Sequence, residues 1–218
     1  MKSLKEYINE GLLDRVKNKE VNHEILIEEF LKENYEIRGS YTIKSTNKGL
    51  IVDVKGDVEV TNKSITALTN GLFEFGEVSR HFNCTNCESL KTLEGAPEEV
   101  WYFKCSNCNS LINLKGAPKE VGWSFDCIEC DSLRTLEGAP ERVKGSFDCS
   151  DCKSLKSLEG APKKVDRNFY CTGCKLLKSL EGAPKEVDAI YCNDCGVQFT
   201  EEDVKKHTNI KEKIFMEL

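Results

Sequence analysis

Long hydrophobic runs are missing from this chain of 218 residues. None approaches the roughly 18 apolar residues that would argue for a membrane span. Residues 1–16 alternate charged with apolar side chains, so they lack the apolar core of a classical signal peptide. Basic charge is also scarce: 31 Lys and Arg stand against 37 Asp and Glu, giving a net charge of −6 and a pI near 5.3. Neither a nucleic-acid footprint nor a polybasic membrane anchor can be built from that balance, whereas basic partners are allowed. The three histidines, His23, His81 and His207, lie far apart, and no glycine-rich phosphate loop or Gly-x-Ser-x-Gly elbow accompanies them. Such histidines are expected to be solvated or packed, with no catalytic role. Proline is limited to five residues, and each one closes a Gly-Ala-Pro triplet, at Pro97, Pro118, Pro140, Pro162 and Pro184.

Those triplets belong to a tandem array. CxxC pairs begin at Cys84, Cys105, Cys127, Cys149, Cys171 and Cys192, so the period is 21 or 22 residues, and the pairs contain all 12 cysteines. Periods in this range mean a solenoid or array in which each unit buries its apolar face only against its neighbours. The shared pattern is F-x-C-x-x-C-x-x-L-x-x-L-x-G-A-P-x-x-V, with Phe82, Phe103, Phe125, Phe147 and Phe169 two residues before the first cysteine and Ile190 in that place last. The leucine pairs run from Leu90/Leu93 to Leu177/Leu180. In a strand, residues two apart share a face, so each F-x-C is expected to be one rung of a parallel sheet with Phe and Cys inward.

The flanks differ. Leu4, Tyr7, Ile8, Leu12 and Val16 predict an amphipathic helix over residues 3–17, and a second helix is expected over about Val21 to Asn34 with Ile25, Ile27, Phe30 and Leu31 inward. From Tyr35 to Val60 the period becomes two, with Asn47-Lys48-Gly49 and Lys55-Gly56-Asp57 as turn signals. Val58, Val60, Ile65 and Leu68 then read as a degenerate first repeat. After Cys195, Thr200 and Asp203 have the spacing of a capping box, and Ile214-Phe215-Met216 repeats the alternation of a last rung. The division expected is an N-terminal helical and β-hairpin cap over residues 1–57 and a solenoid over 58–218. Within the solenoid, 58–81 is the degenerate repeat, 82–191 the regular ones and 192–218 the C-terminal cap.

The pattern resembles the leucine-rich repeat, L-x-x-L-x-L-x-x-N/C-x-L: Val takes the early leucine, Phe and the first Cys form the L-x-L strand, and the second Cys takes the Asn/Cys place. One departure is Cys-x-x-Leu, as in Cys152 to Leu155, one residue longer than the short bacterial form. The combination with Leu-x-Gly-Ala-Pro looks like short repeat proteins encoded by gut bacteria and their large tailed phages. The resemblance implies an α/β fold: a right-handed leucine-rich-repeat solenoid with a parallel β-sheet on one face, capped by the N-terminal segment. It also implies a non-enzymatic protein-protein interaction or structural module. The expected location is cytoplasmic, or inside the infected host cell or virion if the chain is phage-encoded. An effector-like repeat protein lacking its catalytic domain is an alternative, since repeat effectors that act as ligases carry a large extra domain.

Two readings compete for the cysteines. Since residues 1–16 do not read as a classical signal peptide, thiols or metal ligands are expected rather than disulfides. In the first reading they form a ladder without cofactor: the first Cys is a small core residue, and the second bonds the turn backbone as Asn does. In the second, C-x-x-C, about 17 residues and C-x-x-C match four-cysteine zinc spacing, which would recruit Cys84, Cys87, Cys105, Cys108, Cys127, Cys130, Cys149, Cys152, Cys171, Cys174, Cys192 and Cys195. A redox role is not expected, because redox CxxC motifs occur singly at a helix start.

The candidate binding residues are those between the two inward positions of each rung. Along the array they are Glu59, Asn83, Lys104, Asp126, Asp148, Tyr170, Tyr191 and Phe215. The last three are aromatic on consecutive rungs and are expected to stack about 4.8 Å apart as an exposed ridge for an unknown protein partner. The same stacking could instead only add cross-strand packing or shield the open edge of the last strand. Trp123 shares the parity of Phe125 and Cys127 and is expected in the core.

Overall fold

The computed structural model describes residues 23–47 and 49–215. The helix expected over residues 3–17 and Met216 of the last rung lie outside them.

Helix α1 (His23–Asn34) buries Ile27 and Leu31, one turn apart, against the sheet. Ile25, expected inward, is 52% exposed, because two residues before Ile27 is the opposite side of a 3.6-residue turn. Strands β1 (Tyr35–Thr46) and β2 (Gly49–Val60) follow as one antiparallel hairpin, in register from Tyr35 with Val60 to Thr46 with Gly49. The turn expected at Lys55-Gly56-Asp57 does not form. Gly56 instead faces Gly39 inside the hairpin, where a Cβ on either glycine would lie 2.0–2.1 Å from a carbonyl oxygen of the opposite strand. Glycine here permits a close approach of two backbones, not a reversal.

From β2 onward every pairing is parallel. The next strands are β3 (Phe73–Asn83) and β4 (Glu99–Lys104), after which each coil contributes two short strands separated by a bend. These are β5 (Glu120–Val121) with β6 (Phe125–Asp126), β7 (Arg142–Val143) with β8 (Phe147–Asp148), and β9 (Lys164–Val165) with β10 (Asn168–Tyr170). β11 (Glu186–Tyr191) rejoins the two ladders, and β12 (Asn209–Phe215) pairs beside it. The result is a β-solenoid of about seven turns. Helix α2 (Glu201–His207), opened by the Thr200/Asp203 capping box, precedes the last strand.

The described residues hold two helices, and neither lies within a repeat. The architecture is therefore mostly β where α/β was expected. The reason is spacing: after each CxxC the inward residues recur every third place, Cys-x-x-Leu-x-x-Leu, and a Gly-Ala-Pro turn closes the coil. The alanine N–H bonds the second leucine's carbonyl, as in Ala161 to Leu158 at 2.9 Å. No stretch remains for a helix.

The core is a set of columns. Phe82, Phe103, Phe125, Phe147 and Phe169 stack at 5.2–5.4 Å between ring centroids with planes within 12° of parallel, and all are fully buried. Each buried ring contributes about 1.5–3 kcal/mol through burial alone. At the N-terminal end Phe30, Tyr35, Phe73 and Phe75 pack edge-on or tilted against one another and close the stack.

Candidate interaction surface on the strand face

Each CxxC makes the turn that ends a rung. The residue before the second cysteine is left-handed, with φ between +53° and +62° at Asn86, Asn107, Glu129, Asp151 and Asp194 and +73° at Gly173. Five of these six are Asn, Asp or Gly, the residues that tolerate this region best. The turn swings the second cysteine inward. Its thiol then donates to the carbonyl of the preceding coil's first cysteine: Cys108 to Cys84 at 3.2 Å, Cys130 to Cys105 at 3.1 Å, Cys152 to Cys127 at 3.2 Å, Cys174 to Cys149 at 3.2 Å and Cys195 to Cys171 at 3.2 Å. Six successive coils are tied by five copies of the same bond, a regular cysteine ladder. Burial pushes the Cys105 and Cys149 thiols well up and Cys127 up to about 12, so these sulfurs stay protonated near neutrality. Among the described residues no group of three or more His, Cys, Asp or Glu side chains is gathered as a metal site.

The same alternation that turns Phe and Cys inward turns the residue between them outward. The register places seven such residues in one row, Glu59 beside Asn83, then Lys104, Asp126, Asp148, Tyr170 and Tyr191, and pairs the backbone of Phe215 with Tyr191 at its end. Several are held by their own neighbours. Glu59 pairs with Lys63 at 3.0 Å, and Lys104 sits 3.7 Å from Asp126. Asn83 Oδ1 accepts from the Thr85 N–H at 3.0 Å, and Asp148 Oδ1 accepts in the same way from the Ser150 N–H at 2.9 Å. Asp126 and Asp148 are direct neighbours of like charge. Burial, the larger cause in both, raises their pKa values, and the Lys104 charge and the Ser150 hydrogen bonds oppose that shift.

Tyr170 and Tyr191 stack at 4.5 Å between centroids with planes 19° apart, close to the strand spacing expected from the sequence. They are half-buried rather than fully exposed, and Asn168 Nδ2 donates to the Tyr170 hydroxyl at 2.8 Å. Phe215 continues the row by backbone pairing with Tyr191.

Trp123 is not in the core. Residues 122–123 form a bend between β5 and β6, so parity counted back from Phe125 fails. The indole is half-buried between Trp101, 6.3 Å away, and the Arg167 guanidinium, 4.5 Å from its ring. Tyr102 bridges from Trp123, at 6.4 Å, to His81, at 4.7 Å. The sequence reading missed this aromatic group. The signal available was the spacing from Val to Phe, three residues in one coil and four in the next, which shows that the two inward places are not joined by a regular strand.

Among the described residues no helix is long and apolar enough to cross a membrane. Compared with protein-family models, curated proteins and solved structures, the chain finds no match in any of the three.

Proposed function

We propose that this protein is a non-enzymatic interaction or structural module built on right-handed leucine-rich-type repeats, acting without a cofactor inside the cell in which it is made, bacterial or phage-infected. A partner protein would lie across the strand face and engage the C-terminal end of the outward row. The observation that carries the reading is the contrast on single strands. The inward places hold Phe and Cys in five coils running and other apolar residues at the ends, while the outward row passes from Glu59 through Lys104 and the Asp126/Asp148 pair to the Tyr170/Tyr191 stack. Packing asks for the first pattern and leaves the second free to be shaped by a partner. Tyrosine suits this role, since it supplies contact area at low entropic cost and is enriched where binding energy concentrates.

Tyr170→Ser with Tyr191→Ser tests the reading. Capture of partner from a lysate of the producing cell should be lost while the melting curve stays within about 2–4 °C of the parent. Retained capture with a large loss of stability would instead make the tyrosines part of the packing and remove the claim.

A further inference from the structure

A second feature lies toward the N-terminal end of the sheet. Trp101 is 49% exposed, although Tyr102 beside it and Trp123 on the next coil are partly covered. Its indole lies across Gly122, where a Cβ would come within 2.7 Å of the ring, so the chain leaves that place bare for the tryptophan. Beside it runs the row just before each coil's valine, in register as Glu77, Glu99, Glu120, Arg142, Lys164 and Glu186. In the C-terminal half this row neutralises itself: Arg142 meets Asp166 at 2.6 Å and Lys164 meets Glu186 at 2.8 Å. In the N-terminal half three carboxylates stand on adjacent strands, an arrangement that opposes sheet formation. Glu120 reaches Lys144 at 3.7 Å, but Glu77 and Glu99 have no ion pair among the described residues. These glutamates, Trp101, Gly122 and Lys144, whose charge is taken up by Glu120, line a groove of about 170 Å³.

We propose that this groove receives an arginine side chain from an extended basic segment of a protein partner, its guanidinium stacked on the exposed indole of Trp101 and paired with Glu77 and Glu99. The molecule already contains the stacking half of this arrangement, in Arg167 over Trp123. Arginine fits better than lysine because its planar, weakly hydrated head stacks on indole while its N–H groups meet carboxylates edge-on. The charge is complementary, since the only unneutralised part of the row lies beside the one exposed tryptophan among the described residues. The inference rests on this end of the sheet and is independent of the tyrosine end.

Labelled tetra-arginine, titrated into the whole protein at ~150 mM salt and followed by fluorescence anisotropy, provides the test. Binding should saturate, and tetra-lysine should bind several-fold more weakly. Glu77→Gln with Glu99→Gln should weaken tetra-arginine about tenfold, and Trp101→Ala by a similar factor. Glu159→Gln with Glu181→Gln, the same change in net charge at exposed turn residues, should alter it by less than about twofold. The proposal is overturned by absent saturation, by equal losses in the two glutamate pairs, or by a Trp101→Ala protein that binds as the parent does. The glutamate variants are exposed changes that leave the core intact, so the outcome does not depend on whether Trp101→Ala folds.

Discussion

The inside and the outside of one strand obey different rules here. Phe147 and Cys149 point inward and have the same neighbours as Phe125 and Cys127 one coil earlier; Asp148 between them points outward and meets an aspartate on one side and a tyrosine on the other. Inside, a stacked coil presents the same environment at every level, so a single set of side chains solves the packing problem repeatedly: ring on ring, thiol to carbonyl, leucine on leucine. Outside, water tolerates many solutions, and the row can change without disturbing the stack. The two faces of a rung are thus separable in energy, and stability and recognition can be altered independently.

The largest expected effect falls inside. Leu155 is fully buried in the middle of the leucine columns, and Leu155→Ala should cost on the order of 2–5 kcal/mol, as a large-to-small change that leaves a cavity. Lys156, the next residue, is exposed, and Lys156→Ala should cost under about 0.5 kcal/mol. Denaturant unfolding of the two variants measures the difference directly, and similar midpoints would abolish the distinction between the faces.

A smaller effect, of opposite sign, is expected on the outer row. Burial raises the Asp148 pKa in the folded state above its value in the unfolded chain. The folded protein therefore holds a proton there more tightly, and this carboxyl's contribution to stability is present below the unfolded carboxylate range and lost as pH rises through the folded pKa. Asp148→Asn should remove that loss and raise the melting temperature at neutral pH by about a degree or two, with the gain vanishing in the acid range. The substitution keeps the local hydrogen bond, because Asn83 already accepts the equivalent bond from Thr85 in the first regular coil. A melting temperature lower than the parent's at pH 7 would show that the charge itself is needed by the row.

Much of this was legible in the sequence because a repeat fixes register. Once Phe-x-Cys recurs every 21 or 22 residues, parallel stacking brings equivalent residues side by side, and the row from Glu59 to Phe215 follows by counting. What escaped lies where counting fails. Trp123 moved outside because a bend separates Val121 from Phe125, and similar register shifts occur between Val78 and His81 and between Val187 and Ala189. Gly56 looked like a turn residue but serves a close backbone approach opposite Gly39, a pairing that no local pattern reveals. The glutamates at 77, 99 and 120 belong to no motif, and only the register sets them on adjacent strands.

The claim that the interior is held by packing and thiol-to-carbonyl bonds meets its most direct test in the metal content of the protein purified without chelator. The account predicts well under one zinc per chain and a melting curve that chelator leaves unchanged; about three zinc ions per chain, with unfolding on chelation, would contradict it and make the cysteine pairs metal ligands.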